Sequence, residues 1–348
     1  MTTVTSHRRK VAIPVLAIAV VVAAIVSACL GQVATAPLDV ASVLLRQFGV
    51  GIIAEPSHPL AEVTLLKVRF PRIVLALLVG ACLGCAGALL QGVFANPLAE
   101  PGIVGVSAGA AVGASAVIVV GGAFAAAWSV TAAAFAGGCA ATFIVYALAR
   151  FDGRTEVVTL VVTGVAINAF CGGLIAFFTF AASQSAREQI VFWQLGSLNG
   201  ATWQAVAVVA PLTVAGALCA VLLGRQLDLL ALGEPSARHL GVNVERLKQY
   251  IVVVVAILVA AAVSLTGIIV FIGLVVPHLI RMIVGPAHRF LVPASLLGGA
   301  LVLVIADLGA RTLINNADLL LGMLTALAGG PFFQWLLRRT RARQRGWA

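Results

Sequence analysis

The sequence predicts an all-α, multi-pass membrane protein, a single transmembrane domain over residues 1–348 with about ten transmembrane helices and both termini cytoplasmic. Three observations carry that prediction. Hydrophobic residues make up 61% of the chain and charged residues only 10%, and the mean hydropathy of +1.11 lies far above that of a soluble fold. The apolar residues fall into runs of about 20, the length a helix needs to cross a bilayer. The cations sit mostly in short stretches between those runs, where the positive-inside effect places them. The net charge of +10 therefore reflects topology, and the pattern argues against a nucleic-acid partner.

The first span is Val11 to Val33, and Arg8, Arg9 and Lys10 before it put the N-terminus inside. This stretch imitates a signal peptide, and Val26-Ser27-Ala28-Cys29 reads like a lipoprotein cleavage box. A chain with many further spans gains nothing from a lipid anchor, so an uncleaved helix is the preferred reading. In residues 34–68, Val40, Val43, Leu44 and Phe48 have the spacing of a short amphipathic helix along the outer surface. A plain linker fits equally well.

Phe70 to Val93 returns inward, with Arg69 and Arg72 at its mouth, and ends at the break Asn96-Pro97-Leu98-Ala99-Glu100-Pro101. Its two prolines forbid a continuous helix. Ile103 to Val120 runs out again, with glycines at 105, 109 and 113 that let another helix approach to backbone contact. Gly121-Gly122 turns the chain, Phe124 to Ala149 comes in, Arg150 and Arg154 mark a short cytoplasmic loop, and Val157 to Ala181 leads out. Residues 182–202 form an external loop with Trp193, and Trp203 follows at headgroup level.

Trp203 to Leu223 leads to the largest cytoplasmic loop, 224–248, which carries Arg225, Asp228, Glu234, Arg238, Glu245, Arg246 and Lys248. The apolar run from Tyr250 to Val284 is 35 residues, too long for one upright span and short for two. It reads as a pair broken around Ser264 to Gly267. Leu291 to Ile305 goes out, 307–316 lies at or beyond the outer surface, and Ala317 to Leu337 returns to a basic tail. On this topology 16 of the 22 Lys and Arg lie inside. Four of the six outside, Lys67, Arg69, Arg72 and Arg311, sit at span ends against the general trend.

The chain carries few groups that could do chemistry. The three lysines, 10, 67 and 248, lack the preceding G-x-x-x-x-G of a phosphate loop, so any ATP is hydrolysed by another chain. Neither a nucleophile elbow, nor H-E-x-x-H, nor a carboxylate pair within a span is present, which counts against an intramembrane enzyme. Gln91, Thr163, Asn168 and Thr179 are too scattered for a proton relay, which counts against an ion-coupled secondary transporter. Cys82-x-x-Cys85 has no second ligand pair and no His cluster beside it, so the six cysteines read as packing residues. No catalytic residue, metal site or cofactor is expected.

A family resemblance rests on motifs spread in order over nearly the whole chain. These are Arg69-Phe70-Pro71-Arg72, Gly80-Ala81, Gly87, Gln91, the Asn96 to Pro101 break and Gly105-Val106-Ser107-x-Gly109-Ala110. They continue in Gly273-Leu274-Val275-Val276-Pro277-His278-x-x-Arg281, Gly285-x-x-His288-Arg289, Asp307-x-x-x-Arg311 and Gly329-Gly330-Pro331-x-Phe333. Together they resemble the permease subunits of ABC importers for iron chelates, haem and cobalamin.

The resemblance implies a homodimer in the cytoplasmic membrane, with ten helices per subunit and a passage between subunits. Two copies of an ATP-hydrolysing subunit would sit below and a substrate-binding protein above. The substrate expected is an iron chelate, ferric siderophore or haem, with cobalamin as the alternative. Arg69, Arg72 and Arg311 match positions that meet acidic residues of the binding protein. A guanidinium suits such a contact because it stays charged and holds a carboxylate in a fork. Headgroup anchoring, or an i, i+4 pair of Arg311 with Asp307, is the competing reading. Asn96, Pro97 and Leu98 match positions on the translocation path near its inner constriction. Glu234, Ala237 and Gly241 fall in a segment resembling the one that rests in a cleft of the ATPase. Pro277, His278 and Arg281 read as a structural motif rather than a ligand set.

Overall fold

The computed structural model describes residues 2–31, 35–47, 49, 61–121, 127–314 and 317–345, and side chains in most of these. Phe48, Gly122 and Phe124, named above for a surface helix, a turn and the start of a span, lie outside the described residues. Among the described residues the architecture is all-α apart from one hairpin of two two-residue strands. In chain order it comprises α1 (Thr2–Cys29), α2 (Pro37–Gln47) and α3 (Ala61–Thr64), then a π-helical turn (Leu65–Arg69) leading without a break into α4 (Phe70–Val93). A 3-10 turn (Pro101–Val104) precedes α5 (Val106–Gly121) and α6 (Ala127–Leu148). After the hairpin β1 (Arg150–Phe151) and β2 (Arg154–Thr155) come α7 (Val157–Ala181), α8 (Gln184–Gln194), α9 (Trp203–Leu230), α10 (Glu234–His239) and α11 (Val244–Thr266). The chain closes with α12 (Ile272–Val284), α13 (His288–Thr312) and α14 (Leu321–Arg345).

The helix running from Ala61 to Val93 is the centre, 78% buried over its most apolar stretch. It packs against α9, α11, α12 and α13. Small residues make this possible: a Cβ added at Gly80 would collide with the carbonyl of Gly299, at Gly84 with that of Ser295, and at Gly87 with that of Gly273. Close backbone approach of this kind drives association where lipid removes the hydrophobic difference between helix and solvent. A second seam of the same type joins α5 to α6, where Gly109 meets Gly137 and Gly113 meets Ala133. The glycine repeat noted in the sequence at 109 and 113 is therefore a packing face.

At the periphery α7 is only 17% buried and apolar on all sides, with Leu160, Gly164 and Cys171 its buried residues. The hairpin ahead of it turns on Asp152 and Gly153, whose φ angles of 48° and 73° give the primed turn that fits strand twist.

Several boundaries differ from expectation. The first span ends at Cys29 rather than Val33. The stretch 34–68 does contain a helix, α2, with Val40 and Val43 buried. The supposed loop 182–202 contains α8, because Ser183 caps its start and Ala186 and Ile190 pack against Ile118. The supposed 25-residue loop 224–248 shrinks to 231–243. Buried Leu227 and Leu230 prolong α9, while Asn243 accepts from Arg246 N to cap α11. α13 runs on to Thr312, past the expected end at Ile305, so Asp307 and Arg311 lie inside a helix and are buried within the chain. Their mutual pairing, with Arg72 as a third member, offsets part of the cost of burying their charges.

The long run at 250–284 is interrupted at 267–271, between Gly267 and Phe271, which both take positive φ. Among the described residues seven helices are long and apolar enough to cross a membrane. α5 and α12 are apolar but shorter, and α14 ends in an arginine-rich turn.

Candidate functional site

Two ends of the bundle and one break between them hold the residues singled out from the sequence. At the first end the three arginines share a cleft of about 260 Å³ with Gly31, Thr64, Val68, Asn199 and Asp318. Arg69, on the π turn, donates from Nη1 to the Ala28 carbonyl (2.6 Å) and Thr35 Oγ1 (2.8 Å). Arg72 donates from Nε to Asp307 Oδ1 and from Nη1 to Asp318 Oδ2, both at 2.9 Å. Arg311 donates to Asp307 Oδ2 at 3.1 Å and to Ser27 Oγ at 2.6 Å. The i, i+4 pair of Asp307 and Arg311 is thus present, and Arg72 joins it from 235 residues away. Asp307 is 1% exposed and the three arginines 5–7%, so the network is interior on this chain. Among the described residues, Asp307 and Asp318 are the carboxylates bonded to Arg72, and Asp307 also pairs with Arg311.

The break after α4 is stretched between helices rather than loose. Asn96 Oδ1 accepts from Leu98 N at 2.9 Å, the Asx turn that such a side chain makes. Gln91, one helical turn earlier, donates to the Leu274 carbonyl at 3.1 Å and accepts from Arg281 at 3.3 Å. His278 bonds the Pro97 carbonyl, and Pro277 is buried within α12. On the other side Asn168 of α7 donates to the Gly102 carbonyl at 3.1 Å. His278 thus ties α12 to the break, and Arg281 ties it to α4 through Gln91. Among the described residues no group of three His, Cys, Asp or Glu could hold a metal ion. Asn96, Pro97 and Leu98 are exposed on the single chain.

Glu100 Oε1 accepts from Phe271 N at 3.3 Å, joining the break to the first turn of α12. Burial pushes its carboxyl above the usual carboxylate range, and the Phe271 N–H offsets only part of that. The fold thus favours the neutral acid: this stability is complete below the unfolded pKa and is lost as pH rises through the folded one. Glu100→Gln keeps an acceptor for Phe271 N and carries no charge. Its unfolding temperature is expected to match the native protein at acid pH and to exceed it by a growing margin at higher pH.

At the opposite end α10 sits over the hairpin. Ala237 is fully buried, and its carbonyl accepts from Val242 N at 3.0 Å. Gly241, at φ +85°, turns the chain toward α11. Glu234 reaches Lys248 Nζ at 2.6 Å and Arg238 at 3.3 Å. These groups, with Arg154, Thr155, Glu156 and Glu245, line a polar cleft of about 500 Å³. Glu234, Ala237 and Gly241 thus lie on or just after one short helix, which is tied to Lys248 through Glu234 and to Glu245 through Arg238, while Glu245 and Lys248 in turn bond Thr155. Sequence separation hides these last contacts, since Thr155 and Lys248 are 93 residues apart.

The family described as the FecCD transport family matches residues 18–339. The chain belongs to that family. Among FecCD relatives, it is 42% identical over 284 residues to the hemin transport system permease protein HmuU of Yersinia pestis, covering 81% of this chain and 85% of the relative. It is also 42% identical over 289 residues to the cobalamin import system permease protein BtuC of Halobacterium salinarum, covering 81% and 75%. A solved structure of a transporter assigned to the metal-chelate ABC type, in an inward-facing conformation, superposes with a TM-score of 0.83 at 28% identity. That match covers 94% of this chain and 98% of the other. The FecCD assignment makes the chain a multi-pass membrane permease.

Proposed function

We propose that this ABC importer permease moves an iron chelate, ferric siderophore or haem, inward across the cytoplasmic membrane, driven by ATP that partner subunits hydrolyse. The observation that carries the reading is the likeness to a hemin permease over 81% of the chain, supported by the metal-chelate transporter match over 94% of it. An equal identity to a cobalamin permease supports cobalamin as the second reading. The chain would cross the membrane ten times with both termini cytoplasmic, α5, α12 and α14 joining the seven longer spans. A second copy would cover the apolar, mostly exposed α7, so that α7 and the Asn96 to Pro101 break line a shared passage.

The arginine cleft would face the binding protein. An incoming carboxylate there would meet Arg69, Arg72 and Arg311 together and would compete with the one-quarter-exposed Asp318 for Arg72. α10, with Glu234, Ala237 and Gly241, would rest on the ATPase, one copy for each permease subunit.

Reconstitution in vesicles with the cognate ATPase and binding protein decides between substrates. Labelled haem or ferric siderophore should accumulate with ATP while cobalamin does not. ATP-driven cobalamin accumulation alone would overturn the iron reading. The path assignment has its own check. Leu98, 36% exposed at the break, is proposed to close the inner end, so Leu98→Ala should raise ATP-independent substrate leakage several-fold in such vesicles. Unchanged leakage with normal uptake would place the closure elsewhere.

A further inference from the structure

The hairpin between α6 and α7 is gripped at one residue by the elements around α10. Thr155 N donates to Glu245 Oε2 at 2.9 Å, and the Thr155 carbonyl accepts from Lys248 Nζ at 2.8 Å. Both backbone groups of one strand residue are thus held by the first turns of α11. The same Lys248 ammonium lies 2.6 Å from Glu234 on α10 and 3.8 Å from Glu245. It is 3% exposed. A buried ammonium is costly unless acceptors surround it, so this arrangement fixes three segments at one point instead of decorating a surface.

The short connection from Thr155 to α7 gives the grip a direction. Glu156 alone separates the two, occupying the N-cap with extended φ and ψ. An extended residue spans only about 3.3–3.6 Å, so the link has no slack to absorb a shift of that size. α7 itself is only 17% buried and packs chiefly on α5, α6 and the 3-10 turn before α5, so a push at its head is passed on to those elements.

We propose that Lys248 is a positioning residue in energy coupling: it ties α10 to the head of α7 through the Thr155 carbonyl, so that a displacement of α10 is delivered directly to α7. This rests on the reading of α10 as the ATPase contact. The delivered movement is a rigid shift through a hydrogen-bonded joint, with the β1–β2 hairpin as its rigid plate.

The test uses the complete transporter, with ATPase and binding protein, in vesicles. Two variants are compared: Lys248→Met, which removes the joint, and a Gly-Gly insertion between Thr155 and Glu156, which keeps the joint but slackens the link to α7. The readout is substrate moved per ATP hydrolysed, with ATPase association followed by size-exclusion chromatography. Both variants should bind the ATPase and lose at least fivefold in that ratio, and Lys248→Arg, which can still donate to the Thr155 carbonyl and Glu234, should restore most of it. A smaller loss in the insertion variant would overturn the proposal, whatever the fate of Lys248→Met. Loss of ATPase binding by Lys248→Met would also overturn it, because Lys248 would then merely build the docking helix. Failure of the native chain to bind any ATPase would instead sink the underlying reading of α10.

Discussion

Replacing Arg72 by glutamate is expected to remove most folded protein from the membrane. Arg72 joins α4 to α13 through Asp307 and to the segment before α14 through Asp318, with both bonds at 2.9 Å and the guanidinium 6% exposed. The substitution would set three carboxylates together, one of them 1% exposed, where the native chain neutralises two. Removing one partner of a buried ion pair costs about 3–5 kcal/mol, chiefly because the other charge is left uncompensated. Arg72→Met should be milder, since Asp307 keeps Arg311 at 3.1 Å. Unfolding temperature in detergent and the yield of monodisperse protein measure both. If Arg72→Glu melted like the native protein but failed to bind the substrate-binding protein, the arginine would be a docking group alone and the internal network dispensable.

The second large effect is expected at Gly87. A Cβ there would run into the carbonyl, C and Cα of Gly273 on α12. These are backbone atoms, so no side chain can swing away. Gly87→Val should therefore force the two helices apart and cost about 3 kcal/mol, the upper end for overpacking. Gly102, fifteen positions on, has nothing within 4 Å of an added Cβ. Gly102→Ala should leave the unfolding temperature within about a degree, given how small such surface effects are. Equal behaviour of the two variants would show that the close contact at Gly87 is not part of the folded protein's support.

Span position was largely legible in the residues alone because hydropathy acts along the chain and needs no partner: α7 and α9 begin at their expected starts, whereas the helix expected from Phe70 begins at Ala61, across Lys67 and Arg69. The Asn96 to Pro101 break was legible for the same reason, since proline restricts its own backbone. The span expected to end at Ile305 runs on to Thr312, because the charges of Asp307 and Arg311 look unfit for a helix interior until Arg72 is brought to them. The arginines were expected at span ends, and their shared cleft agrees, but their nearly complete burial depends on Ser27, Ala28, Thr35 and Asp318, scattered along the chain. The first turn of α11 was absorbed into a loop because charge was weighed there, and α8 because its Trp193 was read as a headgroup residue; the Asn243 and Ser183 caps were not weighed.

The glycine seams restrict how the bundle can move. Where α4 meets α13 and α5 meets α6, the touching atoms are largely carbonyls and Cα groups. Gly and Ala have no rotamers to lose, so packing them carries none of the side-chain ordering cost that a leucine or methionine contact does. Such a seam also has no alternative side-chain arrangement to switch into, as a two-state contact requires. The helix pairs joined in this way behave as solid pieces, and any change of shape must be taken up where longer side chains meet.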